Sequence, residues 1–450
     1  MKNRKISMHT VFGIFFIFFI YYLLSGLSLP LHADEYEWVG RSYFFDLFIQ
    51  GDSQNKLNTT YYAFDQPKLA YYVFGVALYP KYLFEKNQND ITSYISFLHL
   101  HKLYQDNTQN TPSWNKVSYE FAKQNFLGDW PFTTPCVTTL CPSFELIKMS
   151  RIVNVLFSSL TIIVVLYIGW NIYSNIKDSL LLTFLFGINP LIRNWSLQAT
   201  ADSIFLLLFC IGLYLILKLK TNSKLKITIV FGIVVGLCFS TKIHGILLLI
   251  LAMVAISINL LKSWINKKSV NWAIVCRSLV MMLFIFSSFL IVSYTLNPFL
   301  WHEPQKKYLE LFNYRSKVSR EQQITYPYSS LPSVISRINA VNKHLFGEML
   351  WINNHNKQEA NLFVCMFTAG VFVLGLGRLV KLRLQNNNTL VLLFTFFTIY
   401  IFMIVFLQLD WPRYYNILLL PFYSILIFGF QTIIKHFPSA YFALKKRFAT

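Results

Sequence analysis

Long apolar runs, separated by short polar connections, extend over most of the chain. We predict ten membrane spans, because a helix of about 20 apolar residues crosses the hydrocarbon core of a bilayer. The predicted spans are residues 11–29, 148–170, 179–195, 201–217, 226–241, 243–261, 273–296, 360–377, 389–408 and 414–434. The first run is too long for a signal peptide and lacks a small-residue cleavage site, so we predict a retained span. The pattern predicts an all-α, polytopic membrane protein that forms a single module over residues 1–450.

The polar connections between these runs fall into two classes that alternate along the chain. One class is short and basic. The other consists of two long loops, residues 30–147 and 297–359, and of tight turns near residues 196–202, 241–244 and 408–413. Short loops rich in Lys and Arg stay in the cytoplasm during membrane insertion. Both termini are therefore predicted to be cytoplasmic, and both long loops external.

The distribution of charge supports this alternation. The formal net charge is +20, from 40 Lys and Arg residues against 20 Asp and Glu residues. The basic connections hold 19 of the Lys and Arg residues and a single acid, Asp178, whereas the rest of the chain holds 21 basic and 19 acidic residues. Only 13% of the residues are charged, which excludes an ordinary soluble domain. The positive excess is a topology signal and gives no reason to expect a nucleic-acid partner.

The two long external loops are not uniformly polar. Residues 67–84 of the first loop are apolar and aromatic with lysines around them, a composition typical of a helix that lies along the membrane interface. Another span at this position would place every later basic loop outside the cell. The second loop, residues 297–359, is rich in Tyr and Asn, which is consistent with a small folded cap.

Cysteine and histidine residues of the loops give weaker signals. Cys136 and Cys141 lie in the first loop, where an oxidising exterior permits a disulfide, although two free thiols are the alternative. His99 and His101 share a face only on a strand, and residues 302–303 form an isolated His-Glu pair. A metal site needs more ligands than any of these pairs supplies, so no metal site is predicted.

Unusual charged and polar residues cluster in the connections of the external class. An ionisable group at membrane depth is costly and usually serves a function. A carboxylate there can act as a general base, and Lys or Arg can bind a phosphate. The candidates are Asp34, Glu35, Asp65, Asp202, Lys242, His244, Asp410, Arg413 and Tyr414. Such a set on one membrane face suits a site where a hydroxyl group meets a phosphate-bearing lipid.

Each candidate also has a simpler structural interpretation, which the sequence leaves open. Asp34, Glu35 and Asp202 can stabilise the starts of helices. Lys242 can extend its ammonium group from the membrane interface into water. Arg413 can pair with Asp410 alone.

The order of these motifs resembles that of the GT-C membrane glycosyltransferases, and specifically the superfamily of protein O-mannosyltransferases and bacterial lipid A aminoarabinose transferases. The segments that carry the resemblance are Asp34-Glu35-Tyr36, Phe64 to Tyr72, Arg151 to Asn154, Asn189 to Asp202, Thr241-Lys242, Asn297 to Pro304 and Pro412 to Tyr415. The chain departs from the family pattern at Lys68, where the family has a second proline.

The resemblance implies a sugar donor carried on a polyprenyl phosphate and an inverting transfer. It makes Asp34 the general base, with the adjacent Glu35 as the second catalytic candidate. Lys242 and Arg413 would hold the departing lipid phosphate. Residues that would orient the substrates are Asp65, Lys68, Asp202 and Tyr414. The resemblance implies no obligatory cofactor, and a divalent cation is not indicated.

The acceptor is not identified by the sequence and is a protein, a lipid or a glycan. The compact size favours a bacterial inner membrane over an endoplasmic reticulum. The alternative function is a multi-pass transporter or lipid flippase, which should place ionisable residues near the bilayer midplane. The predicted spans are nearly free of charge, and this favours the glycosyltransferase.

Overall fold

The structure, a computed structural model, describes residues 6–30, 32–51, 66–85, 144–219, 225–267, 272–347, 358–382 and 387–447. Within these ranges nearly all regular structure is helical. The single pairing of β type among them is an isolated bridge between Ser330 and Leu409. The predicted all-α fold is confirmed.

Sixteen α-helices follow one another in the described ranges. They are α1 (Met8–Ser28), α2 (Ala33–Gly40), α3 (Phe44–Ile49), α4 (Leu69–Glu85), α5 (Phe144–Tyr173), α6 (Ile176–Gly187), α7 (Pro190–Ser196), α8 (Asp202–Lys218), α9 (Leu225–Thr241), α10 (Ile246–Lys267), α11 (Trp272–Leu296), α12 (Pro304–Thr325), α13 (Val334–Asn342), α14 (Gln358–Leu382), α15 (Asn387–Phe406) and α16 (Asn416–Arg447). Short 3₁₀ turns occur at Arg41–Tyr43, Ile243–Gly245, Pro298–Leu300, Pro327–Ser329 and Pro412–Tyr415, and a π turn at Lys343–Gly347.

Six of the described helices are long and apolar enough to cross a membrane. They are α1, α5, α11, α14, α15 and α16. The apolar helix α9 and the first part of α10 are shorter. The multi-pass character of the protein is thus supported, whereas the predicted total of ten spans is not confirmed.

The predicted span at residues 179–195 is two helices rather than one. Helix α6 ends at Gly187 after 12 residues, which span about 18 Å and do not cross a bilayer core of about 30 Å. Asn189 then caps α7, because its side-chain oxygen accepts a hydrogen bond from the Leu191 backbone N–H at 2.8 Å. Pro190 occupies the first helical position, where its missing N–H costs nothing. An apolar run that reads as one span is therefore interrupted by a cap and a proline.

Helices α14 and α16 approach each other closely at two glycines. A Cβ atom at Gly375 would collide with the backbone carbonyl of Ile425, and a Cβ atom at Gly429 would collide with the carbonyl of Val371. Small residues at such crossings let the backbones of membrane helices pack together. This close contact fixes α16 against α14. The turn Pro412–Tyr415, which leads into α16, is therefore held in place by this pair of helices.

The first long loop, residues 30–147, contributes α2, α3 and α4, which pack around an aromatic cluster. Trp38, Phe44 and Tyr71 are buried there, with 4.7 Å between the ring centroids of Trp38 and Tyr71. The segment predicted to be interfacial is helical, as α4, and buries Tyr71, Phe74 and Leu78 against this cluster. Its placement along the membrane interface stays a prediction.

The described part of the second long loop, residues 297–359, folds into α12 and α13 and is hydrogen-bonded to the connection between α15 and α16. The Leu331 N–H donates to the carbonyl of Gln408 at 2.9 Å, and the Asp410 N–H donates to the carbonyl of Ser329 at 2.7 Å. These bonds fix the strand-like segment that leads into the turn Pro412–Tyr415. The described part of this loop and the turn Pro412–Tyr415 are therefore held together as one structural unit.

Candidate functional site

Two ion pairs between distant parts of the sequence define the candidate site. Asp34, in the first turn of α2, pairs with Arg413 in the turn before α16. Asp202, the first residue of α8, pairs with Lys242 directly after α9, with 2.6 Å between the carboxylate oxygen and Nζ. All four side chains are largely buried, and Asp34 is the most accessible, at 22%. We call these four residues the ion-pair cluster.

Asp34 is a carboxylate held in its ionised form. Burial raises its pKa, but the positive charge of Arg413 and the hydrogen bond from Arg413 outweigh burial, so the pKa lies below the usual value. The Asp34 backbone N–H donates to Nδ1 of His32 at 3.2 Å, which holds the imidazole beside the carboxylate. His32 in turn lies edge-on to Trp195, with ring centroids 5.5 Å apart.

Lys242 is held in place by Asp202. The second oxygen of Asp202 accepts a hydrogen bond from the Thr200 hydroxyl at 2.9 Å, so the carboxylate is oriented from both sides. Burial lowers the pKa of Lys242 more than the attraction of Asp202 raises it, and nearby Arg413 lowers it further. The two cations of the cluster are therefore close enough to repel each other, an arrangement that favours an anion between them.

Three aromatic rings surround the guanidinium group of Arg413. Its Cζ lies 4.7 Å from the ring centroid of Trp411, 5.8 Å from Tyr414 and 6.0 Å from Trp195. Such cation–π contacts keep an arginine side chain extended while leaving its N–H groups available to an anion. Tyr414, predicted to orient substrates, thus lies beside Arg413. Trp195 was not a candidate, since a single tryptophan near a membrane surface is expected at any interface.

Arg315 of α12 is a further cation that sequence reasoning missed. It lies within electrostatic range of Tyr414 and His244. The second long loop therefore brings a basic residue toward the same end of the bundle. No motif distinguishes Arg315 from the many other basic residues of the sequence, so only the fold identifies it.

Glu35, the second catalytic candidate, occupies a closed structural site. It is fully buried and forms a bidentate ion pair with Arg151, at 2.7 Å and 2.6 Å. Its two oxygens also accept the backbone N–H groups of Ala199 at 2.7 Å and His32 at 2.9 Å. Because all four hydrogen bonds are made within the protein, Glu35 has the environment of an anchor for α2 rather than that of a group that meets a substrate.

Lys68 is fully buried and joins α4 to the end of α11. Its backbone N–H donates to Oδ1 of Asn297 at 3.1 Å. Its ammonium group lies 3.7 Å from the ring centroid of Phe44 and 5.2 Å from that of Tyr71. These contacts place Lys68 in the aromatic cluster of α2 to α4. Asp65, Cys136, Cys141, His99 and His101 lie outside the described residues.

Asp410 belongs to a separate cluster that supports the turn with Arg413. One oxygen of its carboxylate is 2.7 Å from Nε2 of His344 and accepts the Tyr415 hydroxyl at 2.8 Å. The rings of His344 and Tyr415 lie 4.1 Å apart. The interpretation that Arg413 merely pairs with Asp410 is therefore wrong, because Arg413 pairs with Asp34 across the site.

Among the described residues, no group of three or more His, Cys, Asp or Glu side chains is close enough to hold a metal ion. Within residues 302–303, Glu303 is exposed and pairs with Lys306 at 3.1 Å. No residue of the candidate site is assigned as a metal ligand.

The helices that carry this geometry can be compared with known proteins. Residues 143–291 match the family model of dolichyl-phosphate-mannose-protein mannosyltransferases. This mannosyltransferase match covers about a third of the chain, from the start of α5 into α11. It confirms the resemblance to the GT-C membrane glycosyltransferases and supports a membrane glycosyltransferase that uses a lipid-linked sugar donor. A search of curated proteins finds no match.

The mannosyltransferase match contains Arg151, Asp202 and Lys242, whereas Asp34 and Arg413 lie outside the matched residues. The fold places Asp34, from the N-terminal side of the matched segment, and Arg413, from its C-terminal side, next to that segment. The ion-pair cluster is thus assembled from the matched part and from both flanking parts of the chain.

Proposed function

We propose that the protein transfers a sugar from a polyprenyl-phosphate donor to a hydroxyl group of an acceptor, with inversion at the anomeric carbon. The observation that carries the proposal is the ion-pair cluster at the ends of apolar helices. It combines two carboxylates and two cations in the space where a lipid phosphate and a hydroxyl group would meet. The mannosyltransferase match supports the lipid-linked donor, and the acceptor is a protein, a lipid or a glycan.

Lys242 and Arg413 provide the binding site for the donor phosphate. The polyprenyl tail partitions into the bilayer, so its phosphate arrives at the level of the helix ends, where both cations lie. In the resting site each cation is neutralised by a carboxylate, Asp202 for Lys242 and Asp34 for Arg413. The phosphate competes with these carboxylates. Two oxygens of a phosphate can accept parallel hydrogen bonds from one guanidinium group, which favours exchange at Arg413.

Exchange at Arg413 also activates Asp34. While Arg413 is paired with Asp34, it lowers the pKa of that carboxyl group and makes it a weak base. When the donor phosphate takes over Arg413, Asp34 loses its strongest counterion and its affinity for a proton rises. Donor binding therefore prepares the base before the acceptor reacts.

The chemical step then needs only groups of the cluster and the two substrates. Asp34 takes the proton of the acceptor hydroxyl, and the hydroxyl oxygen forms a bond to the anomeric carbon. The bond between that carbon and the phosphate oxygen breaks, and its electron pair stays on the lipid phosphate. Lys242 and Arg413 stabilise the charge that develops there.

The remaining candidates act by positioning in this proposal. Asp202 holds Lys242 with the help of Thr200, and Tyr414 packs beside Arg413. Lys68 helps to shape the aromatic cluster of α2 to α4, which lies beside the ion-pair cluster. Asp65 keeps the substrate-orienting role that the family resemblance implies.

The proposal places the site on the external side of a bacterial inner membrane, with both termini cytoplasmic. This orientation follows from the basic connections of the sequence. No nucleotide, nucleic acid or obligatory metal takes part, and the bilayer itself delivers the donor.

Substitution of the base tests the proposal. We expect Asp34→Asn to lower transfer from a radiolabelled polyprenyl-phosphate sugar by about 10²–10⁴-fold, because general-base catalysis contributes a factor of this size. The matched control is Glu321→Gln, which makes the same change on an exposed carboxylate of α12. Its transfer rate should equal that of the unaltered protein.

The measurement uses membranes that contain equal amounts of each folded variant. Undiminished transfer by Asp34→Asn would overturn the assignment of the base. Facilitated movement of the donor across the bilayer without sugar transfer would favour the transporter or flippase instead.

A further inference from the structure

A polar cavity lies at the opposite end of the bundle from the ion-pair cluster. It has a volume of about 460 Å³ and is bordered by the end of α5, the start of α6, the end of α14, the start of α15 and the middle of α16. Its polar side chains include Asp178, Arg378 and Gln431, and its apolar wall includes Ile172 and Phe428. We call it the distal cavity. The proposed sugar transfer makes no use of it.

Asp178 is held rigidly at the edge of the distal cavity. One of its oxygens, Oδ2, accepts hydrogen bonds from Nδ2 of Asn175 at 2.8 Å and from Nε2 of Gln431 at 2.7 Å. The two donors come from the start of α6 and from α16. This carboxylate is the single acid among the basic connections of the sequence. A rigid carboxylate in an otherwise basic region favours a ligand that carries a positive group.

Arg378 supplies the opposite charge in the same cavity. Its guanidinium Cζ lies 5.9 Å from the ring centroid of Phe428, and among the described residues it forms no ion pair. Arg378 and Asp178 thus line one cavity without neutralising each other. A half-buried guanidinium group gains most from a ligand that can accept several parallel hydrogen bonds, and phosphate is such a ligand.

Exposed apolar side chains of α14 lie one turn before Arg378. Leu374 is 45% exposed and Val373 is 64% exposed. Both belong to the candidate membrane span Val364–Leu382. Acyl chains attached to a phosphate at Arg378 would lie against these side chains.

We propose that the distal cavity binds the headgroup of a zwitterionic phospholipid with a primary amine, its phosphate on Arg378 and its ammonium group on Asp178. A purely anionic headgroup would be repelled by Asp178. A quaternary ammonium group cannot donate a hydrogen bond to that carboxylate. The cavity therefore selects a phosphoethanolamine headgroup over phosphoglycerol and phosphocholine headgroups.

Native mass spectrometry of the full-length, delipidated protein tests this selection. The probes are phosphatidylethanolamine, phosphatidylcholine and phosphatidylglycerol with identical acyl chains. We expect the unaltered protein to bind the ethanolamine lipid about tenfold more tightly than the choline lipid, as expected for one charge-assisted hydrogen bond. Asp178→Asn should abolish this preference while still binding the choline lipid. Arg378→Gln should weaken the binding of both lipids by about tenfold.

The control variant is Lys381→Gln, which removes an exposed cation from the same end of α14 without altering the cavity wall. It should leave lipid binding unchanged. Equal binding by Arg378→Gln and the unaltered protein, or a preference that survives in Asp178→Asn, would overturn the proposal. Displacement of the lipid by equimolar free phosphoethanolamine would overturn the lipid assignment. Sugar transfer is measured separately, so failure of either proposal leaves the other standing.

Discussion

At the scale of single residues, the exchange of partners at Arg413 controls the chemistry that we propose. Asp34 and Glu35 are adjacent in sequence, yet one meets Arg413 and the other meets Arg151. Neighbours on a helix point about 100° apart, so two adjacent acids cannot enter the same site. The sequence therefore predicts that both carboxylates lie near the start of α2. Only the structure shows that Asp34, the candidate base, faces Arg413 and that Glu35, the anchor, faces Arg151.

The pH dependence of transfer should reveal this coupling. The pKa of Asp34 lies below its usual value, so with Arg413 in place the base stays ionised until the pH falls below the ordinary carboxyl range. In Arg413→Gln the chief counterion is lost and burial raises the pKa. We expect the acid limb of kcat/KM to move to higher pH and the rate at neutral pH to fall by about 10²–10³-fold.

The measurement is a pH profile of transfer at limiting donor concentration for both proteins. An acid limb at the same pH in both would show that Arg413 does not control the ionisation of Asp34. Arg413→Lys serves as the conservative variant. Its limb should lie closer to that of the unaltered protein, because the positive charge is retained while the planar contact is lost.

At the scale of helices, the Glu35–Arg151 pair fixes the arrangement on which the site depends. Arg151 also donates to the carbonyl groups of Gly26, Leu29 and Pro30, at 3.0 Å, 2.7 Å and 2.9 Å. It thereby connects the end of α1 and the start of α2 to α5. The sequence shows an arginine near the start of a span, but its convergence with carbonyl groups more than 100 residues away is a tertiary property.

Breaking this pair should destabilise the protein strongly. We expect Arg151→Met to lower the free energy of unfolding by about 3–5 kcal/mol, because it leaves the carboxylate of Glu35 buried without its partner. The double variant Glu35→Leu, Arg151→Met should recover part of the loss. The measurement is thermal unfolding in detergent. Equal losses in the single and double variants would contradict an ion-pair origin.

The cluster of His344, Asp410 and Tyr415 stabilises the turn that presents Arg413. Burial raises the pKa of Asp410, but the hydrogen bonds from His344 and Tyr415 outweigh burial and place the pKa below its usual value. A lowered carboxyl pKa stabilises the fold above the pKa of the unfolded chain, and this contribution is lost as the pH falls through the folded value.

Removal of one of these hydrogen bonds should therefore have a pH-dependent effect. We expect Tyr415→Phe to lower the free energy of unfolding by about 1.5–3 kcal/mol at pH 7, the range for a hydrogen bond to a charged group. The deficit should shrink below about pH 4, where the carboxyl group takes up a proton. Tyr328→Phe, at a fully exposed tyrosine, is the control. A deficit independent of pH would exclude Asp410 as its source.

At the scale of the whole molecule, the apolar pattern predicts the fold class because membrane helices must satisfy their backbone groups internally. It fails at residues 179–195, where a polar cap and a proline divide one apolar run into α6 and α7. Composition also predicts that the charged residues of the external connections lie together. The partners within that group depend on packing among helices distant in sequence, so the sequence alone cannot pair Asp34 with Arg413.

The orientation of the whole bundle decides which compartment supplies the acceptor. The basic connections predict that α12 is external and that the start of α6 is cytoplasmic. Both regions have an exposed lysine, Lys317 in α12 and Lys177 in the first turn of α6. In a background with Cys136, Cys141, Cys276 and Cys365 replaced by serine, Lys317→Cys should react with an impermeant maleimide in intact cells. Lys177→Cys should react only after lysis. The opposite pattern would place the ion-pair cluster on the cytoplasmic side of the membrane. The acceptor would then be a cytoplasmic molecule, and the donor would enter the site from the cytoplasmic leaflet.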